Sequence, residues 1–189
     1  MTTTLAVADE SSAAVTADGV PYFIRPIGVE DAARERAFIC GLSAASRYSR
    51  LMYAVREPSA AFIDQMVRVN YRRTMAFVAV MGEGDEEKII GVARYADSPG
   101  GCGSEFAIAV ADEWQSRGVG SAIARRLFDY AREQGLLRMC ASISATNSRM
   151  LSFAHWLGFT TGMTPGESSL VSAQLALTPA PLQRQSSLG

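Results

Sequence analysis

Glu105 opens an apolar run, Phe106–Ala111, of strand length with Ile108 and Val110 inside it. Gln115-Ser116-Arg117-Gly118-Val119-Gly120-Ser121 follows, and the pattern predicts a helix over Ser121–Gln134. A carboxylate can take up a proton in the course of a reaction. A glycine-rich turn at a helix start offers unpaired backbone N–H groups and the positive end of the helix dipole, and its missing side chains admit a ligand close to the backbone. Together these residues imply group transfer from a phosphate-bearing cofactor, with Glu105 handling a proton. Two glycines also make an ordinary tight turn, so the glycines alone do not choose.

Other chemistry is thinly represented. His155 is the single histidine, and Cys40, Cys102 and Cys140 are far apart, so no metal site is expected. An odd number of scattered cysteines argues against a disulfide framework and fits a reducing compartment. Cys140 falls in a predicted strand; Cys102, in a glycine-rich loop, is the one expected to be exposed. A net charge of −1 gives no overall pull toward nucleic acid. Six arginines between Arg47 and Arg73 (Arg47, Arg50, Arg56, Arg68, Arg72, Arg73) face only Glu57 and Asp64. They read as a solvated helical face, or as a dock for an acidic surface or for cofactor phosphates. No apolar run approaches the roughly 20 residues of a membrane helix. The first residues carry Asp9, Glu10 and Asp18 rather than a basic signal-peptide start. A cytoplasmic protein is expected, with no membrane and no nucleic-acid partner.

The elements that must position these residues follow from periodicity. Residues 1–20 read as a disordered leader and 178–189 as a flexible tail, leaving one domain over 21–177. Within it the pattern predicts a strand at Tyr22–Pro26 and helices at Gly28–Leu42, Ser43–Met52 and Ser59–Val69, Ser43 being a cap. Strands follow at Thr74–Met81 and Lys88–Tyr95, then the Glu105 strand and the glycine helix. A strand at Leu137–Ser142, a helix at Asn147–Leu157 and strands at Phe159–Gly162 and Leu170–Leu177 complete the order. This is an α/β chain of the α+β type, with a mixed, mostly antiparallel sheet of six to seven strands flanked by helices.

Gln115-Ser116-Arg117-Gly118-Val119-Gly120 resembles the Q/R-x-x-G-x-G/A signature of the GNAT superfamily of N-acetyltransferases. Val110 closing the preceding strand, Asn147 just past the next one and Gly158-Phe159 ending the next helix stand where that family has them. A narrower likeness joins Leu42–Tyr48, Val69–Tyr71 with Met75–Val80, Gly91–Tyr95 and Glu105–Gln115 to the acetyltransferase domain of bacterial Pat-type protein lysine acetyltransferases. The resemblance implies acetyl-CoA as co-substrate and no metal. It places the pantetheine arm on backbone groups of Ile108, Ala109 and Val110. The pyrophosphate would lie on the N–H groups of Ser116, Arg117, Gly118, Val119, Gly120 and Ser121, with Gln115 in the signature and Asn147 on the cofactor or capping its helix. Glu105 matches the family's general base, and the Val110 N–H is a candidate oxyanion donor.

The acceptor implied is a protein lysine, possessed for instance by an acyl-CoA synthetase, with a small amine as the alternative and a non-catalytic acyl-CoA sensor as a third reading. A monomer or homodimer fits either. One departure is Ala154, where many GNAT enzymes carry a tyrosine that protonates the leaving thiolate; Pat-type enzymes commonly lack it too. A second is Asn70-Tyr71-Arg72-Arg73-Thr74, where Pat-type chains often carry acidic residues.

Overall fold

Three sequential antiparallel strands set the frame. In this computed structural model, which describes residues 11–51, 57–98, 103–164 and 166–177, β2 (Pro21–Pro26), β3 (Thr74–Met81) and β4 (Lys88–Asp97) pair in turn, and β5 (Ser104–Val110) joins β4 antiparallel. A crossover helix carries the chain from β5 to β6 (Arg138–Ser144), the one parallel neighbour among the described strands. β8 (Leu170–Ala176) and β7 (Thr160–Met163) extend the far edge and β1 (Ser12–Val15) the near one, giving an eight-stranded sheet of order β1-β2-β3-β4-β5-β6-β8-β7.

The eighth strand corrects the expected count and the expected leader. β1 (Ser12–Val15) falls inside the segment read as disordered and pairs with β2 from Ser12↔Ile24 to Val15↔Pro21. Its Ser-Ala-Ala-Val sequence has neither alternation nor bulk. Long-range pairing supplies what local pattern lacks. The first ten residues, the tail 178–189, Arg56 and the loop carrying Cys102 lie outside the described residues.

Two helical layers cover the sheet. α1 (Ala32–Gly41) and α3 (Ala60–Val67) pack Phe38, Ile39, Ile63 and Val67 on the face that carries Ala76, Val78 and Val92. α4 (Val119–Glu133) packs Ile123, Leu127 and Phe128 on the opposite face against Phe77, Phe106 and Met139, and α5 (Ser148–Trp156) adds Ala154 there. The strand alternation of period two sorts the residues to these faces. α2 (Ala44–Leu51) is short and lies at the open end of β5.

A buried ion pair fastens the first layer. The guanidinium of Arg25 donates to both oxygens of Asp31 at 2.7 Å and to Glu87 at 2.5 Å. Gly28 N–H donates to Asp31 as well, at 2.9 Å. Burial pushes the Asp31 carboxyl up, but Arg25 and the Gly28 N–H outweigh it and hold it below the usual carboxylate range.

Candidate active site

β5 and β6 part company almost as soon as they meet. They pair only at Ser104↔Met139 and Glu105↔Cys140. Beyond that point β6 keeps β8 and β5 keeps β4 on their outer edges, while the edges they turn toward each other no longer pair. In an antiparallel strand successive N–H groups point to alternate sides. The Ala111 N–H donates to Ile90 O of β4 at 2.9 Å. By alternation Ala109 also faces β4, and Ile108 and Val110 turn their N–H groups into the gap. Of the three strand residues expected on the pantetheine arm, Ala109 therefore lacks the backbone direction, because the β4 ladder uses it. The opening left by the missing partner has the shape of a slot for one extended, amide-bearing chain.

The glycine turn closes the outer end of this slot. A 3-10 turn over Asp112–Trp114 leads into Ser116 at φ 62 and Gly118 at φ 91, the N-cap of α4. A serine in the left-handed region is strained. Gly118 has no side chain, and no side-chain bond caps this helix start. Its first-turn N–H groups therefore have the arrangement an anion needs. The Gln115 side-chain amide donates to Val110 O at 3.0 Å, tying the turn to the strand. Arg149 of α5 reaches across to Gln115 Oε1 at 2.5 Å and Ser116 Oγ at 2.8 Å.

A groove of about 670 Å³ lies between these elements, within the range of small-molecule sites. Ile108, Ala109 and Val110 form one wall. Gln115, Ser116, Gly118, Gly120 and Ser121 form its end, and Asn147 lies on the far side. Asn147 also caps α5, its Oδ1 accepting from the Met150 N–H at 3.0 Å. Two expected residues turn their side chains elsewhere. Val119 is fully buried in the core. Arg117 stacks on the Trp114 ring at 4.4 Å and pairs with Asp18 beyond β1, holding the Asp18 carboxyl down at about 2. Both can serve a ligand only through backbone N–H groups.

Glu105 is exposed and does not line the groove. It sits where β5 and β6 separate, with its side chain on the sheet face opposite Phe106, whose ring packs against Phe128 and Phe159 at 5.2 and 5.5 Å. That is the face of α1 and α3. On the same face Arg94 of β4, buried, grips Met66 at the end of α3 through its backbone oxygen and its sulfur. Cys140, across the register from Glu105, is disulfide-bonded, which corrects the expectation of a chain without disulfides; spacing along the chain does not reveal which strands meet. Cys40 is an exposed free thiol.

Several groove residues were missed by pattern. Ser43 caps α2 as expected, its Oγ accepting from the Ser46 N–H at 3.2 Å, but the same end is also bound to the glycine turn. Asp112 accepts from the Ser43 N–H at 2.9 Å, Ser43 Oγ at 2.8 Å and Ser46 Oγ at 2.7 Å. Burial pushes the Asp112 carboxyl up, and these bonds outweigh it and hold it low. Met150, Phe153 and Trp156 form a nonpolar stripe of α5 on the groove. Ala154, the position of the absent tyrosine, is buried under the helix, and His155 is turned to Thr161 at 2.9 Å. The residues before β3 are also committed. Asn70 Oδ1 accepts from the N–H groups of Arg72, Arg73 and Thr74 at 2.7–3.1 Å.

The comparisons with known proteins agree with this geometry. The model of the acetyltransferase (GNAT) family matches residues 43–159. Acetyltransferase PA5475 of Pseudomonas aeruginosa is 38% identical over 162 residues, covering 85% of this chain and 86% of that protein. Acetyltransferase Pat of Mycolicibacterium smegmatis is 29% identical over 138 residues, 72% of this chain and 40% of that longer protein. The crystal structure of the GNAT domain of S. lividans PAT superposes with a TM-score of 0.81 at 27% identity, covering 88% of this chain and 97% of that one. Among the described residues no helix is long and apolar enough to cross a membrane. With its parted strands, its uncapped glycine helix start and these relatives, the chain belongs to the GNAT family as an acetyl-CoA-dependent acetyltransferase.

Proposed function

We propose that this enzyme acetylates a protein lysine side chain, with Glu105 as general base. The observation that carries this reading is the position of Glu105 at the point where β5 leaves β6. There the carboxylate is open to an acceptor arriving over the α1–α3 face, while the acetyl donor occupies the slot between the strands. The likeness to the GNAT domain of a PAT protein supports a protein acceptor.

A lysine ammonium has a pKa near 10.4 and attacks only after losing a proton. Glu105 takes that proton. The two N–H groups facing the slot, Ile108 and Val110, stand about 10 and 17 Å along the strand from Glu105. Such spans call for a water between the carboxylate and the amine, and make Ile108 the nearer oxyanion donor. The amine nitrogen then bonds the acetyl carbon and the carbon–sulfur bond breaks. The second nitrogen proton goes to the departing thiolate, directly or through water, because the groove-facing residues Met150, Phe153 and Trp156 offer no acid.

Two measurements test this. Labelled acetyl-CoA with cell lysate should label protein bands; transfer confined to low-mass amines overturns the lysine acceptor. Glu105→Gln should lower kcat by roughly 10²–10⁴ at neutral pH. The deficit should shrink as pH rises toward the amine pKa, since more acceptor is then already deprotonated. A variant with unchanged turnover removes Glu105 from the mechanism.

A further inference from the structure

Beyond the phosphate turn, the groove runs on to an aromatic platform that the transfer reaction does not use. Trp156 ends α5 with 57% of its surface exposed although it lines the groove. Its ring lies nearly parallel to that of Phe153, at 13° with centroids 6.0 Å apart. Phe153 in turn stands against the start of α4, where a methyl on Gly120 would meet its Cζ at 3.5 Å. The guanidinium of Arg125 rests 5.0 Å from the Trp156 centroid. Arg125 follows Ser121 by one helical turn and so shares its face, about 7.5 Å along α4 from Gly120. An anion on the α4 N-terminus therefore has, next along the same wall, an exposed indole and a cation.

We propose that Trp156, backed by Phe153, is a stacking site for the adenine of coenzyme A, and that Arg125 binds the ribose 3′-phosphate. This rests on the groove being the acetyl-CoA site. The charge fits: a phosphate is dianionic near neutral pH, and among the described residues Arg125 is engaged with a ring face, a contact that is weak at an exposed position. The shape fits as well, because a purine stacks on an indole without needing any hydrogen bond, and one exposed tryptophan is enough. The guanidinium leaves the indole for the phosphate as the base arrives. The platform thereby selects the whole cofactor over its phosphopantetheine part, the portion that the β5 slot and the glycine turn hold by themselves.

The test is equilibrium binding by calorimetry of three compounds to the full chain: acetyl-CoA, acetyl-dephospho-CoA and acetyl-4′-phosphopantetheine. Wild type should prefer acetyl-CoA to acetyl-4′-phosphopantetheine by tenfold or more. Trp156→Ala should erase about tenfold of that preference and leave acetyl-4′-phosphopantetheine unchanged. Arg125→Gln should erase the preference for acetyl-CoA over the dephospho compound. If Trp156→Ala keeps the preference, or weakens all three compounds equally, the stacking site is overturned and the groove assignment stands. If wild type binds none of the three, the groove assignment itself fails and the platform with it.

Discussion

The two glycines of the turn should respond to the same substitution in opposite directions. Gly118 adopts φ 91 and ψ −12 with open space where a Cβ would stand. An alanine there meets no neighbour but must hold a left-handed backbone, at about 1–2 kcal/mol. For a domain of this size that lowers Tm by roughly 2–8 °C. Gly120 lies inside the first turn of α4 with ordinary helical backbone. A Cβ there would sit 3.4 Å from Val110 Cγ2, 3.5 Å from Phe153 Cζ and 3.8 Å from Ile108 Cδ1, all normal contacts. Replacing a helical glycine by alanine stabilises by about 0.5–1 kcal/mol, so Gly120→Ala should raise Tm of the free protein by roughly 1–4 °C.

Binding should move the other way. The new methyl would stand between Val110 and Phe153, where the proposed placement brings the phosphate end of the donor to the backbone. Losing one hydrogen bond to a charged acceptor costs about 1.5–3 kcal/mol, so Gly120→Ala should weaken acetyl-CoA roughly ten- to hundredfold. Melting curves without ligand and calorimetric titration with acetyl-CoA read the two effects separately. A Gly120→Ala protein that melts higher and binds acetyl-CoA as wild type does would refute the placement of the phosphates on this turn. One that melts lower would refute the free space read at the position.

Asp31→Asn should cost about 3 kcal/mol at pH 7, the low end for breaking a buried pair because Arg25 keeps Glu87, and lower Tm by roughly 6–12 °C. The folded Asp31 pKa lies below its unfolded value, so its contribution is present above that value and is lost as pH falls through the folded pKa. The gap between wild type and variant should therefore narrow below pH 3.8 in melts across an acid series, and a constant gap would refute the pairing. Asp112→Ala should shift Tm by no more than about 2 °C, because the carboxylate is exposed and its bonds are screened. It should nevertheless lower kcat/KM about tenfold by freeing the Ser43 end of α2 from the glycine turn, and steady-state kinetics beside a melt checks both.

How much of this was legible in the sequence follows from the range of the interactions involved. Asn147 as a helix cap and Gly118 as a helix start are local events, decided by bonds three or four residues long, and pattern reached both. β1 depends on β2 and on the Arg117–Asp18 contact almost a hundred residues away in the chain, and composition alone hid it. The link of Asp112 to Ser43 and Ser46 joins residues 66 and 69 positions apart, with nothing at either end to announce it. The most instructive case is β5 itself. Its alternation was readable: Glu105, Ala107 and Ala109 on one face, Phe106, Ile108 and Val110 on the other. Alternation also settles which N–H groups point to which neighbour, once the neighbours are known. What no pattern within β5 carries is that, among the described residues, no strand pairs with its β6 side beyond Glu105, although β6 runs on beside β8 to Ser144. The slot is thus a property of the sheet order, and Ala109, which keeps its place in the groove wall, has its backbone N–H turned to β4 by the direction of one ladder.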